Sequence, residues 1–310
     1  MADARPSGIA ESAVAVIQRQ QWLAPLVEGL QQAVSVAFRA GGRAGQAVKN
    51  VLHGTWLGHP LHPVLTDVPI GAWATALVFD TLDARDGGWA RRPALQRRAD
   101  DAILVGIVGA LGAALAGLTD WQHTEGGARR TGFVHAGLNT LALGLYAGSL
   151  LARRRGGRRA GRALSGAGFG LLLASAYLGG RLVYHDRVGV DHAQREEPTA
   201  GRFTRAVRES DLREGQPVRA ELGGVRIVLV RRGARVYALG EQCSHLGGPL
   251  AEGAVRDDAI VCPWHGSRFA LADGRVLDGP ATMPQPCFET RVVDGFVEVR
   301  RRPESGLAAA

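Results

Sequence analysis

Four side chains that can bind a metal lie in one short stretch of the chain. They form two pairs, Cys243-Ser-His245 and Cys262-Pro-Trp-His265, with sixteen residues between the pairs. Two cysteines and two histidines can hold a [2Fe–2S] cluster, with the cysteines on one iron and the histidines on the other, or a zinc ion. Zinc sites usually group their ligands as C-x₂₋₄-C and H-x₃₋₅-H. Because each cysteine here is paired with its own histidine, the spacing favours the cluster.

The sequence around these side chains predicts a compact antiparallel β domain that must position them. After Tyr184, short apolar runs alternate with Gly-Gly, Arg-Gly and Asp-Gly turns, a pattern typical of hairpins. The predicted strands are 218–222, 225–230, 236–239, 259–261, 288–293 and 296–299.

From Cys243 to Pro286 the chain resembles the Rieske proteins, and the sequence motif C-S-H-L-G-G…C-P-W-H-G-S-R-F…D-G…G-P-A is similar to that of their ferredoxin-type branch. The resemblance implies that the four side chains are cluster ligands on two loops at the tip of a β fold. The turn-forming residues of these loops would aim backbone N–H groups at the cluster sulfurs; they are Gly247, Gly248, Pro249, Pro263 and Gly266.

Two departures from the respiratory-complex branch concern the cluster surroundings. That branch carries an extra, disulfide-bonded cysteine in each loop, where this chain has Gly248 and Trp264, so packing by Trp264 is expected to hold the loops together. Ser267 keeps a hydroxyl donor, but Phe269 stands in place of a tyrosine. We therefore expect a reduction potential below the top of the Rieske range of about −150 to +300 mV, which Phe269→Tyr should raise.

The first two thirds of the chain contain four apolar runs. Three carry no charge, namely 102–118, 132–152 and 163–180, whereas the run 62–82 includes Asp67 and Asp80. A membrane span needs roughly 20 mostly apolar residues. The pattern predicts a four-helix transmembrane bundle, in which Gly144 and Gly148 have the small-xxx-small spacing of close helix contacts.

The segment G-H-P-L-H-P-V-L-T-D-V-P-I-G-A-W, with later matches around Asp120, His135 and His185, resembles a bacterial predicted-membrane family of unknown function. That resemblance covers about residues 50 to 190 and implies a fold but no activity.

Antiparallel helices would gather several ionisable residues at one membrane face. Histidines on different helices can hold a b-type haem, and a His/Asp group can bind a quinone and accept its protons. The third interpretation is structural, because such residues also cap helices and meet lipid head groups. The candidates are His59, His62, Asp67, Asp120, His123, His135 and His185.

Composition and charge narrow the location. The net charge is +8, and Lys49 is the only lysine. The arginines cluster between apolar runs rather than on one patch with interleaved aromatic residues, which argues against nucleic-acid binding. The arginine-rich loops before the second and fourth spans predict a multi-pass bacterial inner-membrane protein with the cluster domain outside the cytoplasm. Disulfide-free cluster loops instead suit a reducing cytoplasm, so the side stays open. Of the three cysteines, Cys287 is expected to be a buried structural residue.

The predicted organisation is a multidomain chain that joins this α-helical bundle to a C-terminal all-β sandwich. Its parts are a helical extension (1–50), the membrane domain (51–190), a linker (191–200), the cluster domain (201–303) and a tail (304–310), without internal repeats. The extension has helical periodicity that suits either a membrane-surface helix or an ordinary packed one. No secretory signal peptide is expected.

The leading functional interpretation is a membrane-anchored one-electron carrier that exchanges electrons with a redox partner protein or a quinone at its own membrane face. The enzyme question stays open, although an electron carrier or oxidoreductase subunit is favoured over a complete enzyme. A Rieske oxygenase needs a mononuclear iron site after the cluster, and the 45 residues after His265 contain no histidine. A carrier or reductase component of an oxygenase, a quinone- or haem-linked oxidoreductase, and a redox or iron sensor remain alternatives.

Overall fold

The computed structural model describes residues 9–85, 92–195 and 201–301. The contacts divide the chain into two units, Met1–Gly45 with Pro60–Val188, and Gln46–His59 with Gly189–Ala310. The tail predicted at 304–310 and the linker residues 196–200 lie outside the described residues. The predicted domain boundaries therefore stay predictions.

The first unit, called the helical unit, consists mainly of long helices. The helices of the described residues are α1 (Ile9–Arg19), α2 (Ala24–Ala40), α3 (Gly42–His53), α4 (Leu61–Ala84), α5 (Pro93–Trp121), α6 (Gly126–Arg154) and α7 (Arg158–Tyr184), of which α3 continues into the second unit from Gln46. Pro60 precedes α4, and Pro93 begins α5, in keeping with the preference of proline for helix starts, where its missing N–H has no partner to lose.

Helices α4 to α7 form an antiparallel bundle. Helix α4 packs along α5 and α6 along α7, and the contacts of α5 with α6 and of α4 with α7 close the ring. The bundle core is formed by Trp73, Ile103, Tyr146 and Leu172. Helices α4 and α6 therefore stand on one diagonal of the bundle.

The helices differ in their fitness to cross a membrane. Among the described residues, α5, α6 and α7 are long and apolar enough. Helix α4 is not among them, and it carries Asp67, Asp80 and Asp83. Length and composition thus support three spans rather than the predicted four, because the acidic residues of α4 lower its hydropathy.

The predicted N-terminal extension is helical and packs on the bundle. Helices α1 and α2 contact α6, and Leu23 and Val27 are buried against Trp121. The other face of this segment is exposed, and Trp22 is 74% exposed. The segment is thus amphipathic and packed on its neighbours, while its exposed apolar face keeps the membrane-surface interpretation open.

The second unit contains an antiparallel β domain of two sheets. The strands are β1 (Thr204–Arg208), β2 (Val218–Leu222), β3 (Val225–Arg232), β4 (Arg235–Gly240), β5 (Ala254–Arg256), β6 (Ala259–Val261), β7 (Arg268–Ala270), β8 (Val276–Asp278), β9 (Cys287–Val293) and β10 (Phe296–Arg301). Six strands pair in the order β1-β10-β9-β4-β3-β2, and four pair as β5-β6-β7-β8.

Two-residue turns set the hairpin registers. Leu222 pairs with Val225 across Gly223 and Gly224, both of which have positive φ. Such backbone is favourable for glycine, and its twist matches that of the paired strands. Strand β3, which pairs with β2 and β4, is buried from Ile227 to Val230, so its middle belongs to the core of the β domain.

Candidate metal centre

The two predicted ligand loops have the same hydrogen-bonding pattern. In the first, between β4 and β5, the Cys243 N–H donates to the Gly248 carbonyl at 2.9 Å, and the Gly247 N–H donates to the Cys243 carbonyl at 2.8 Å. In the second, between β6 and β7, the Cys262 N–H donates to the Ser267 carbonyl at 2.9 Å, and the Gly266 N–H donates to the Cys262 carbonyl at 3.1 Å. Each loop therefore wraps one cysteine in a closed backbone turn.

Glycines are required where these turns close. Gly247 and Gly266 have φ of 78° and 76°, a left-handed backbone that side chains with a Cβ adopt at a cost. At Gly248 a Cβ would lie 2.8 Å from Cys262 Sγ and 3.1 Å from the Trp264 ring. The absence of a side chain at Gly248 thus lets the two loops approach each other.

These loops bring the four predicted ligands together. Cys243 and Cys262 are 1% and 3% exposed, while the half-buried His245 and His265 rings are perpendicular with centroids 5.1 Å apart. Among the described residues, no three His, Cys, Asp or Glu side chains are grouped closely enough to hold one metal ion. A donor set of two deep thiols and two shallower imidazoles fits a two-iron cluster in which the cysteines hold one iron and the histidines the other.

Backbone dipoles point at both sulfurs. The N–H groups of His245 and Leu246 bond to Cys243, and those of Trp264 and His265 bond to Cys262. The hydrogen bond between the two thiols lowers the pKa of Cys262 to about 7 and, together with burial, raises the pKa of Cys243. Both sulfurs thus lie in a site that favours a negative charge shared between them.

The pKa of His245 lies well below its usual value. The largest cause is burial, and the second largest is the nearby His265. His53, His192 and Lys49 also contribute to this lowering. A neutral imidazole is the form that binds metal, so the surroundings of His245 favour ligation.

Residues far from the motif help to build the site, and the sequence pattern did not indicate them. The Asn50 side chain donates to Asp278 Oδ1 at 2.9 Å and accepts from the Gly279 N–H at 3.1 Å. His53 is fully buried, and a Cβ at Gly279 would lie 3.1 Å from its Cδ2. The end of α3 is thus packed against the loop that follows β8, although more than 200 positions separate the two in the chain.

The neighbours of the ligand loops have distinct roles. Buried Ser267 accepts the Ala281 N–H at 3.0 Å through its Oγ, which leaves its hydroxyl hydrogen available to a cluster. Ser244 instead donates its hydroxyl to the Met283 carbonyl at 2.7 Å. Phe269 is fully buried in the core that also contains the two predicted ligand cysteines.

The Trp264 ring would lie 3.1 Å from a Cβ at Gly248, and Trp264 is 56% exposed. Its ring lies 6.4 Å from that of His265. Cys287 begins β9 and is half-buried, with its Sγ 3.7 Å from the Ala272 carbonyl oxygen. It is therefore less enclosed than the sequence predicted.

Two families match the chain, each over a different part. The family described as a Rieske [2Fe-2S] domain matches residues 202–289, and that described as "Predicted membrane protein (DUF2231)" matches residues 58–192. The 3-phenylpropionate/cinnamic acid dioxygenase ferredoxin subunit of Escherichia coli (strain K12) is 37% identical over 89 residues, which are 28% of this chain and 83% of that protein. The chain belongs to the Rieske [2Fe–2S] family.

Further similarities concern the Rieske domain alone. Apoptosis-inducing factor 3 of Mus musculus is 33% identical over 90 residues, and the chain spans only 15% of its length. The solved ferredoxin of carbazole 1,9a-dioxygenase from Nocardioides aromaticivorans IC177 is 26% identical over 32% of this chain and 98% of that one, with a TM-score of 0.31.

The structure distributes the predicted membrane-face residues over both units. His59 belongs to the unit of the Rieske domain, whereas the other six lie in the helical unit. Of these six, His62 and His135 come together, with ring centroids 6.2 Å apart. His185 instead bonds to its neighbour Asp186 at 3.0 Å.

Proposed function

We propose that this chain is a membrane-anchored one-electron carrier whose [2Fe–2S] cluster is held by Cys243, His245, Cys262 and His265. The observation that carries the proposal is the pair of matching loops, each of which directs one cysteine and one histidine to the same place. When bound, such a cluster accepts and releases single electrons.

The protein contributes the electrostatic setting of the cluster. Backbone N–H groups directed at both ligand sulfurs, and the Ser267 hydroxyl, would stabilise the additional negative charge of the reduced state. The exposed Trp264 and half-buried His265 mark the side on which electrons would enter and leave. His192 and the buried His53 lie close enough to His245 to contribute to the lowering of its pKa, and the His192 backbone N–H donates to the Ser244 carbonyl at 2.9 Å.

The helical unit would anchor the carrier as a multi-pass bundle in the bacterial inner membrane. Helices α4 and α5 expose many large apolar side chains, which suits contact with lipid. The acidic residues of α4 do not exclude a fourth span, because Asp80 and Asp83 are buried and paired with Arg153 and Arg162. The arginine-rich sequences between α4 and α5 and between α6 and α7 favour the cytoplasmic side for that end of the bundle.

The partner would be a redox protein or a quinone. Similarity to a dioxygenase ferredoxin subunit supports a role as the carrier component of an oxygenase system. A haem or quinone among the helices would instead provide a redox partner within the chain. A redox or iron sensor is the remaining alternative, in which reduction alters the helices without an electron acceptor.

Spectroscopy of the purified full-length chain tests the cluster assignment. The reduced protein should show the electron paramagnetic resonance signal of a [2Fe–2S] cluster with two histidine ligands, with two irons per chain. Cys243→Ser and Cys262→Ser should abolish the signal, whereas Cys287→Ser, which removes the third cysteine, should preserve it. One zinc per chain in place of iron, or equal loss in all three variants, would overturn the assignment.

A further inference from the structure

The bundle consists of two matched helical hairpins, α4–α5 and α6–α7. Three residues on α4 have the same spacing as three residues on α6. On each helix the second residue of the set lies eleven positions after the first, and the third lies eighteen positions after the first. The three equivalent pairs are His62 with His135, Trp73 with Tyr146, and Asp80 with Arg153. The side chains differ in type at two of the three levels, so the sequence showed no repeat.

The second helix of each hairpin repeats as well. Gly106 and Gly117 on α5 are eleven positions apart, as are Gly168 and Gly179 on α7. A Cβ at Gly106 would clash with Trp73, and one at Gly168 would lie 3.0 Å from Tyr146.

The same relation holds for the two histidines. A Cβ would lie 2.8 Å from His62 Nδ1 at Gly117, and 3.1 Å from His135 Cε1 at Gly179. Each hairpin therefore has a glycine that leaves room for a ring on its first helix.

Equivalent residues meet across the diagonal of the bundle. Trp73 stacks on Tyr146 with centroids 3.9 Å apart, and Asp80 pairs with Arg153. His62 and His135 form the third level, 6.2 Å apart with an interplanar angle of 86°. At a rise of 1.5 Å per residue the three levels extend over about 27 Å, which is close to the thickness of a membrane core.

The two histidines are held in equivalent ways. His62 Nδ1 lies 2.8 Å from the Ala113 carbonyl oxygen on α5, and His135 Nδ1 lies 2.8 Å from the Ser175 carbonyl oxygen on α7. A carbonyl can only accept, so each Nδ1 carries the hydrogen, and in the neutral ring each Nε2 keeps its lone pair. Asn139 donates to Nε2 of His135 at 3.1 Å, a hydrogen bond that must break for this nitrogen to bind a metal, since the ring nitrogen has one lone pair.

We propose that His62 and His135 are the axial ligands of a haem iron bound between α4 and α6. A metal bound at about 2 Å by one nitrogen of each ring holds the ring centres roughly 6 Å apart, which agrees with the observed 6.2 Å. The hydrogen bond from each Nδ1 to a carbonyl is the usual support for a metal-binding histidine, since it fixes the ring and increases its basicity.

The number of ligands distinguishes haem from a bare ion. In the described residues no three His, Cys, Asp or Glu side chains are grouped to hold a metal, and a structural zinc site takes four protein ligands. Two histidines are enough for haem, because the macrocycle supplies the other ligands. Ligands on facing helices are also a common arrangement in helix bundles.

Reconstitution of the purified full-length chain with ferric haem tests this site. One haem per chain should bind with the absorption and electron paramagnetic resonance spectra of a low-spin, six-coordinate iron. His62→Leu and His135→Leu should each lose the low-spin spectrum and weaken haem binding at least tenfold. The rim variants His123→Leu and His185→Leu are the matched controls and should bind haem as the original chain does.

A methionine variant separates ligation from packing. Methionine can serve as an axial haem ligand and has about the size of leucine, so His62→Met should restore a low-spin spectrum that His62→Leu lacks. The same titration on Cys243→Ser, which lacks the cluster, should give unchanged haem binding, so the site is tested independently of the proposed carrier function. Absence of stoichiometric haem binding, binding by either leucine variant as tight as that of the original chain, or tight binding of copper or zinc instead would overturn the proposal.

Discussion

Removal of the Ser267 hydroxyl should lower the reduction potential of the cluster. The Ser267 Oγ accepts the Ala281 N–H at 3.0 Å and is fully buried, so its hydrogen is free to point at the cluster. Such a hydrogen bond strengthens as the cluster gains negative charge, and it therefore stabilises the reduced state more than the oxidised one. Ser267→Ala removes this difference.

The size of the change follows from the energy of one hydrogen bond. A differential contribution of about 1 kcal/mol corresponds to about 40 mV for a one-electron couple, because a tenfold change in equilibrium constant is about 59 mV or 1.4 kcal/mol. The variant also leaves the Ala281 N–H without its acceptor, which should cost about 1 to 3 kcal/mol of stability.

A redox titration followed by visible absorption measures the effect. Ser244→Ala is the matched control, because the Ser244 hydroxyl donates to the Met283 carbonyl at 2.7 Å and has no hydrogen left for the cluster. We expect Ser267→Ala to lower the potential by about 40 mV and Ser244→Ala to change it by less than about 10 mV. An unchanged potential in Ser267→Ala, or an equal change in both variants, would refute this reasoning.

Three further predictions follow from other contacts. Asp80→Ala leaves the buried Arg153 guanidinium without its closest carboxylate, so thermal unfolding in detergent should show a loss of about 3 to 5 kcal/mol, against less than about 1 kcal/mol for the control Glu28→Ala, which removes an exposed carboxylate paired with Arg129 in the same unit. Asn50→Ala removes two hydrogen bonds to the loop after β8 and should destabilise the Rieske domain by about 1 to 3 kcal/mol, measured as earlier thermal loss of cluster absorbance; an unchanged transition would contradict the contact. The thiol pair lowers the pKa of Cys262 to about 7, so in the chain prepared without the cluster the ultraviolet absorbance of its thiolate, taken as the difference from Cys262→Ser, should increase as the pH rises through about 7, whereas a midpoint at the ordinary thiol value near 8.5 would count against the thiol pair.

The strands that the sequence predicted are those with strong local signals. The predicted β2 and β6 match the observed bounds, and the predicted β3, β4, β9 and β10 are each extended by one or two residues. The short strands β5, β7 and β8, and the edge strand β1, were not predicted. Each of β5, β7 and β8 has only three residues, too few to show alternation, so only pairing with neighbours defines them.

The candidate cluster site was largely predictable because its chemistry is local in the chain. Each loop carries one cysteine, one histidine and the glycine that closes its turn, within five positions. The contribution of Asn50 and His53 was not predictable, since they approach the loop after β8 only in the folded chain.

The sequence by itself determined the types of chemistry available: two Cys/His pairs, glycines at the turns that need positive φ, and apolar runs long enough to span a membrane. Only the tertiary structure decided which histidines meet. His62 and His135 are two of seven residues that helix order alone grouped together, and the equivalence of the two hairpins selects them. The physical reason is that helix order places residues at one end of a bundle, whereas the packing of rings against Gly117 and Gly179 determines which side chains face its axis.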